Sequence, residues 1–120
     1  MITKETIKDF FSDIEEGNEF DTSNKLLWGY FFLDNDLEKL KVFSLKLREL
    51  GFMFKDIFEA EKTDKSDITE YYLHVERVEH HNINSLFNLN DELYKLANEH
   101  LIDSYDGFDV GNIISSDNIV

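Results

Sequence analysis

The chain has 120 residues, 42% of them hydrophobic and 32% charged, with no cysteine and a formal net charge of −14. That length supports one buried core, and the lack of cysteine removes disulfides, thiolate metal sites and thiol nucleophiles. The acidic excess opposes direct binding to nucleic acid, which depends on cations displacing the counterions of phosphates. No apolar run is long enough to span a bilayer, and the opening residues, MITKETIKDF, mix charge into what an export signal would keep apolar. A cytoplasmic domain with no membrane association is therefore the expectation. The charge is compatible with simple solubility. It also favours encounter with a basic protein segment, such as an arginine-rich tail, through steering that weakens with salt.

In chain order, Ile7, Phe10, Phe11 and Ile14 recur at helical spacing within 3–16, and Gly17-Asn18 ends that helix. A polar connector runs to Lys25. Residues 26–33, LLWGYFFL, form an apolar run of strand length whose two alternating rows are both apolar, which predicts a central strand covered on both sides. Asn35 is the expected cap of the next helix, with Glu38 completing a capping box; Leu40, Phe43, Leu47 and Leu50 form its apolar stripe, and Gly51 stops it. Residues 52–59 read as a strand and 61–67 as a charged hairpin loop. Residues 69–77 alternate Tyr71, Leu73 and Val75 against Glu70, His74 and Glu76, as a strand with one apolar face does. A helix with Asn82 or Asn84 as cap then carries Ile83, Leu86, Leu89 or Asn90, Leu93, Leu96 and Ala97. If 104–110 is a fourth strand, the order is βαββαβ, the ferredoxin-like α+β pattern: an antiparallel sheet with two helices on one face, plus an N-terminal helix. The other face of the first strand needs cover, from that N-terminal helix or from a partner's surface.

Few constellations suggest chemistry. His74, His80 and His81 lie near Glu76 and Glu79, but two adjacent histidines on a strand point to opposite sides, so no metal site is expected. Asp34-Asn35-Asp36 resembles the start of a calcium loop yet has Lys39 and Leu45 where the glycine and final acid belong. Acidic pairs such as Glu15/Glu16 and Asp91/Glu92 read as solvated faces. No phosphate loop, nucleophile elbow or zinc-protease motif is present, and neither a cofactor nor catalytic residues are expected. The aromatic strands lack the basic residues of an RNA-stacking platform and read as core. In 104–111, SYDGFDVG, Asp106-Gly107 is a turn or bulge signal with Tyr105 and Phe108 as anchors on either side.

Four segments, Leu27-Trp28-Gly29-Tyr30-Phe31-Phe32, Leu47-Arg48-Glu49-Leu50-Gly51-Phe52, Leu93-Tyr94-Lys95-Leu96-Ala97 and Tyr105-Asp106-Gly107-Phe108, together resemble the regulator of ribonuclease activity B family, RraB, over roughly residues 26–110. Family members often carry tryptophan where Phe108 stands. The resemblance implies a bacterial, non-enzymatic ferredoxin-like domain at 26–111, preceded by the N-terminal helix and connector at 1–25 and followed by a tail at 112–120. It further implies a protein partner, a ribonuclease of the RNase E type bound on its noncatalytic or basic region, and it leaves the oligomeric state open. Trp28, Tyr30, Gly51, Tyr105, Asp106, Gly107 and Phe108 become family-pattern positions, structural or interacting rather than catalytic. Two other readings remain: an antitoxin-like or immunity-like inhibitor of another basic protein, and a small enzyme whose acids meet only on folding. A pocket uniting Asp106 or Asp109 with His74 would favour the enzyme, and a flat acidic surface would favour binding.

Overall fold

A computed structural model describes residues 1–17, 20–62, 64 and 68–112. Part of the expected hairpin loop, Asn18 of the first helix stop, and the expected tail beyond residue 112 lie outside these residues. Seven elements follow in order: α1 (Lys4–Gly17), β1 (Leu26–Asp34), α2 (Leu37–Glu49), β2 (Met53–Glu59), β3 (Tyr71–Glu79), α3 (Ile83–Glu99) and β4 (Ser104–Gly111). The strands form one antiparallel sheet in the order β2-β3-β1-β4. Each βα step places its next strand two positions away, and the gap is filled by a strand from the other half. This is the ferredoxin-like arrangement expected from the element order.

One row of β1, consisting of Trp28, Tyr30 and Phe32, is almost completely buried, and three helices cover it. Leu40, Phe43 and Leu47 of α2 and Leu86, Leu93 and Ala97 of α3 supply the apolar stripes that their helical spacing predicts. The ambiguous α3 position resolves to Asn90, which is buried because its side-chain amide donates to the Leu86 carbonyl (2.8 Å) and its oxygen accepts from the Tyr105 hydroxyl (2.5 Å). A buried amide is tolerated only when its donors and acceptors are satisfied in this way.

The sheet's other face departs from expectation. α1 does not cross to it; Ile7 and Phe11 enter the same core, and the rings of Phe10 and Phe11 lie 6.0 and 6.1 Å from Trp28. An isolated helix of this length is marginal in water, so the gain from burying Ile7 and Phe11, about 1.5–3 kcal/mol each, is what holds α1 in helical form. The second row of β1, Leu27, Phe31 and Leu33, stays half-exposed, so the strand is covered on one side only.

Local signals set the boundaries. Asp36, not Asn35, caps α2: its carboxylate accepts from the Lys39 amide, leaving Glu38 one position short of the capping-box partner. Asn82 caps α3 in a reciprocal box with Ser85. Both α2 and α3 end in the same pattern of returning hydrogen bonds. Phe52 and Gly51 donate back to the Leu47 and Arg48 carbonyls, and Ile102 and Leu101 donate back to those of Ala97 and Asn98. This Schellman closure requires a left-handed residue, which Gly51 (φ 94°) adopts without steric cost and Leu101 (φ 58°) does not.

Opposite substitutions at these equivalent positions should therefore act with opposite sign. Leu101 is 76% exposed and loses little burial on shortening. Relief of about 1–2 kcal/mol of left-handed strain exceeds the roughly 0.4–1 kcal/mol cost of a more flexible unfolded chain, so Leu101→Gly should stabilise by about 0.5–1 kcal/mol in urea unfolding. Gly51→Ala should destabilise by about 1 kcal/mol or more. A Leu101→Gly protein less stable than the parent would refute the strain argument.

Candidate functional site

Two polar constellations stand out, one on each face of the sheet. Under the helices, the end of β3 brings Glu79 against residues from β1 and from the approach to α3. Its Oε2 accepts from the Tyr30 hydroxyl (2.5 Å) and lies 2.8 Å from His81 Nε2, while Oε1 accepts from Arg77 Nε (2.6 Å). The Glu79 backbone carbonyl accepts from Trp28 Nε1 (3.0 Å). His81 completes the chain through Nδ1, 2.9 Å from Ser85 Oγ. The Arg77 guanidinium lies 3.9 Å above the Phe52 ring and donates to the Leu50 carbonyl, tying β3 to the end of α2. Burial alone pushes the Glu79 carboxyl up, but hydrogen bonds from His81 and Tyr30, aided by the Arg77 charge, hold it below the usual range. Burial, reinforced by the Glu79 contact, pushes the Tyr30 phenol far above its ordinary value.

The Ser85-His81-Glu79 sequence of contacts resembles a nucleophilic relay but is organised for structure. Ser85 Oγ already accepts from the Asn82 amide in the capping box and lies 3.2 Å from the Asn82 carbonyl. Four hollows of about 550, 260, 440 and 420 Å³ indent the described surface, and neither Ser85 nor His81 lines any of them. A hydroxyl engaged in this way, outside each of these hollows, has neither the freedom nor the access that attack on a substrate needs.

On the open face, cross-strand register places Gly29 between Glu76 of β3 and Asp109 of β4, and Phe31 between His74 and Gly107. His74 stacks on Phe31 with ring centroids 4.2 Å apart. Both His74 and Asp109 lean over Gly29: a methyl group built there would stand 2.6 Å from His74 Nε2 and nearer still to Asp109 Oδ1. The missing side chain of Gly29 thus makes room for two functional groups from neighbouring strands. Asp106 is the extra residue of a β-bulge, since Phe31 pairs with Gly107 and Phe32 with Tyr105. There it accepts a hydrogen bond from the Tyr72 hydroxyl (2.9 Å). The Tyr72 phenol is raised by burial and by that carboxylate.

The family-pattern residues therefore divide between the two sides. Trp28, Tyr30, Tyr105 and Phe108 point into the helix side, where Phe108 meets Phe10 edge-on at 4.9 Å. Gly51 closes α2, and Asp106 with Gly107 (φ 132°) shapes the bulge on the open side. Sequence reasoning did not find the Glu79 network, because the alternation was followed only to Arg77 and the buried row continues one further step. It also passed over Gly29, although a glycine inside an apolar strand is a recognised sign of close approach by another group. Among the described residues, no three His, Asp or Glu side chains gather in a way that could hold a metal ion. No helix among them is long and apolar enough to cross a membrane.

Another carboxylate, the fully buried Asp34, accepts from the amides of Asp36 (2.8 Å) and Asp103 (3.0 Å) and pairs with Lys39 (2.9 Å). Burial raises its carboxyl, and these contacts, led by Lys39, outweigh that and lower it. Glu79 and Asp34 are thus both depressed in the folded chain. Their stabilisation is complete above the unfolded carboxylate range, about pH 4–4.5, and is lost as pH falls below it, where the unfolded state takes up more protons. Glu79→Gln should cost about 1–3 kcal/mol at neutral pH and flatten the acid limb of stability measured by urea unfolding from pH 7 downward. An unchanged acid limb would show that Glu79 carries no such linkage.

Comparison with known protein families matches residues 4–110 to the family described as Regulator of ribonuclease activity B. A search of curated proteins found no match. The family match runs from the first residue of α1 to the penultimate residue of β4, so it takes in the three helices, the sheet and both constellations. With most of its length matched in this way, the chain belongs to the regulator of ribonuclease activity B family.

Proposed function

We propose that this protein restrains a bacterial ribonuclease of the RNase E type in the cytoplasm by binding the enzyme's noncatalytic or basic region, and that it catalyses no reaction itself. The family match over residues 4–110 carries this reading. The site geometry supports it. His74 and Asp109 do come together over Gly29, but they do so on an open sheet face, and none of the four hollows is lined by His74, Asp106 or Asp109. A substrate on such a face would remain in water, where acid–base groups lose most of their advantage. A protein surface would cover it. Charge supports the same direction, since −14 on a chain this small accelerates encounter with a cationic partner. An immunity-like inhibitor of another basic protein would use the same physics and differ only in its target.

The test is retention of partners from a bacterial lysate on the immobilised chain at low and at moderate salt, followed by cleavage assays with the retained enzyme. The expected result is capture of a ribonuclease or its scaffold that weakens as salt rises, with slower cleavage by the intact ribonuclease than by its isolated catalytic part. Retention of no ribonuclease component at either salt would overturn the reading.

A further inference from the structure

The two sides of the sheet differ in how their charge is compensated. The five lysine and arginine ion pairs between described residues, Lys39–Asp34, Lys41–Glu38, Lys46–Glu49, Arg77–Glu79 and Lys95–Asp91, and the His81–Glu79 contact involve helices, their flanking loops or the helix side of β3. The open face carries Asp56, Glu76, Asp106 and Asp109, placed there by register or by the Tyr72 contact. None of these four carboxylates has a cationic partner among the described residues. Between them lie half-exposed rings and apolar side chains: Phe31 at the centre, Tyr72 and Phe58 toward β2, and Leu27 and Leu33 along β1. At the middle sits His74 Nε2, the one buried side-chain polar atom without a hydrogen-bond partner in the described structure.

An uncovered sheet face ordinarily alternates apolar-in with polar-out and leaves no ring stripe in water. Here the outer row carries aromatic rings, and the charges that register places among them are carboxylates. A second copy of the same face would bring like charges together, and nucleic acid would be repelled in the same way. A lysine-bearing segment would satisfy the carboxylates, but its ammonium is a point charge without the planar fork that stacks on a ring and pairs bidentately. Arginine satisfies both features, because its planar guanidinium stacks on an aromatic ring while its fork of N–H donors pairs with a carboxylate at the ring's edge. Phe31 and Tyr72 beside Asp106 and Asp109 present that combination, and His74 offers a further stacking surface.

We propose that the open face of the sheet, centred on Phe31, His74 and Asp109, is a docking surface for an arginine-rich segment of a partner protein. The proposal rests on the ribonuclease-regulator reading only for the partner's identity; the surface and its chemistry stand on the face itself. The other exposed apolar strip, Val42, Leu45 and Phe54, is rimmed by Lys41 and Arg48, the wrong sign for this occupant.

The test uses the full chain, labelled for amide NMR, titrated with a synthetic peptide alternating arginine and leucine. Versions with lysine and with uncharged citrulline in place of arginine are run beside it. Expected are shifts concentrated at Phe31, His74 and Asp109, binding that weakens with salt, a weaker lysine peptide and a citrulline peptide that does not bind. The double variant Asp56→Asn with Asp109→Asn should lose about tenfold or more in affinity, as removal of desolvated charge partners does. The double variant Glu38→Gln with Glu49→Gln, which removes the same charge from α2, should bind the peptide like the parent. Shifts centred on Val42 and Leu45, equal losses from both double variants, or equal binding of the citrulline peptide would each overturn the proposal. So would concentration-dependent shifts of this face without peptide, which would make a second copy the occupant. If the Asp56→Asn, Asp109→Asn variant restrains a captured ribonuclease as well as the parent does, the surface falls and the regulator reading stands. Docking of the peptide here with no ribonuclease captured would leave the surface and remove the regulator reading.

Discussion

The helix side of the molecule depends on one constraint, that three side chains of the buried row of β1, Trp28, Tyr30 and Asp34, end in polar atoms that must find partners away from water. Trp28 and Tyr30 both reach Glu79, one to its backbone carbonyl and one to its carboxylate, and Asp34 reaches the backbone at the start of α2 and the turn into β4. An unpaired polar group at these depths costs about 1–3 kcal/mol, so the connections before α2, α3 and β4 are all drawn to this strand. Arg77 extends the arrangement by linking Glu79 to the end of α2. The loops therefore meet at β1 because its buried hydrogen-bonding groups leave them few other placements.

This hierarchy explains what could be read from the sequence. Helices and strands with one apolar stripe declare themselves by period, and α2, β3 and α3 follow their patterns closely. The βαββαβ order then fixes the sheet, and Asp106-Gly107 announces its bulge because glycine is where the backbone can take a positive φ. What stayed hidden is set across strands rather than along them. Glu79 gains its partners from β1 and from the α3 approach, 49 and 2 residues away, and no local pattern encodes that meeting. The destination of α1 was equally hidden: an apolar stripe says that a helix must dock but not on which side. Two apolar rows on β1 suggested two covered faces, whereas the half-exposed Leu27, Phe31 and Leu33 of the second row are a surface feature of the protein.

That uncovered row gives the charge of the chain a direction. A net charge of −14 spread evenly would act mainly as a solubility device. The cations are not spread evenly: α2 alone holds Lys39, Lys41, Lys46 and Arg48, and the lysine and arginine ion pairs neutralise acids on the helical half. The open face keeps its carboxylates unpaired beside apolar rings. Electrostatic steering would bring a cationic segment to such a face, while ring contacts that exclude water would decide whether it stays, so a face combining the two can be both fast and selective.

The two faces are mechanically one. Side chains alternate along a strand, so every open-face residue on β1 and β3 is flanked by residues locked beneath the helices: Phe31 by Tyr30 and Phe32, and His74 by Leu73 and Val75, all buried. The backbone that presents Phe31, His74 and the Gly29 gap is held from behind by the hydrogen bonds and ring contacts of the core. A flat surface gains affinity when its groups are already in place, because less ordering remains to be done on binding. The Glu79 network and the open face are then parts of one device, in which polar contacts under the helices fix the spacing of rings and carboxylates on the uncovered side of the sheet.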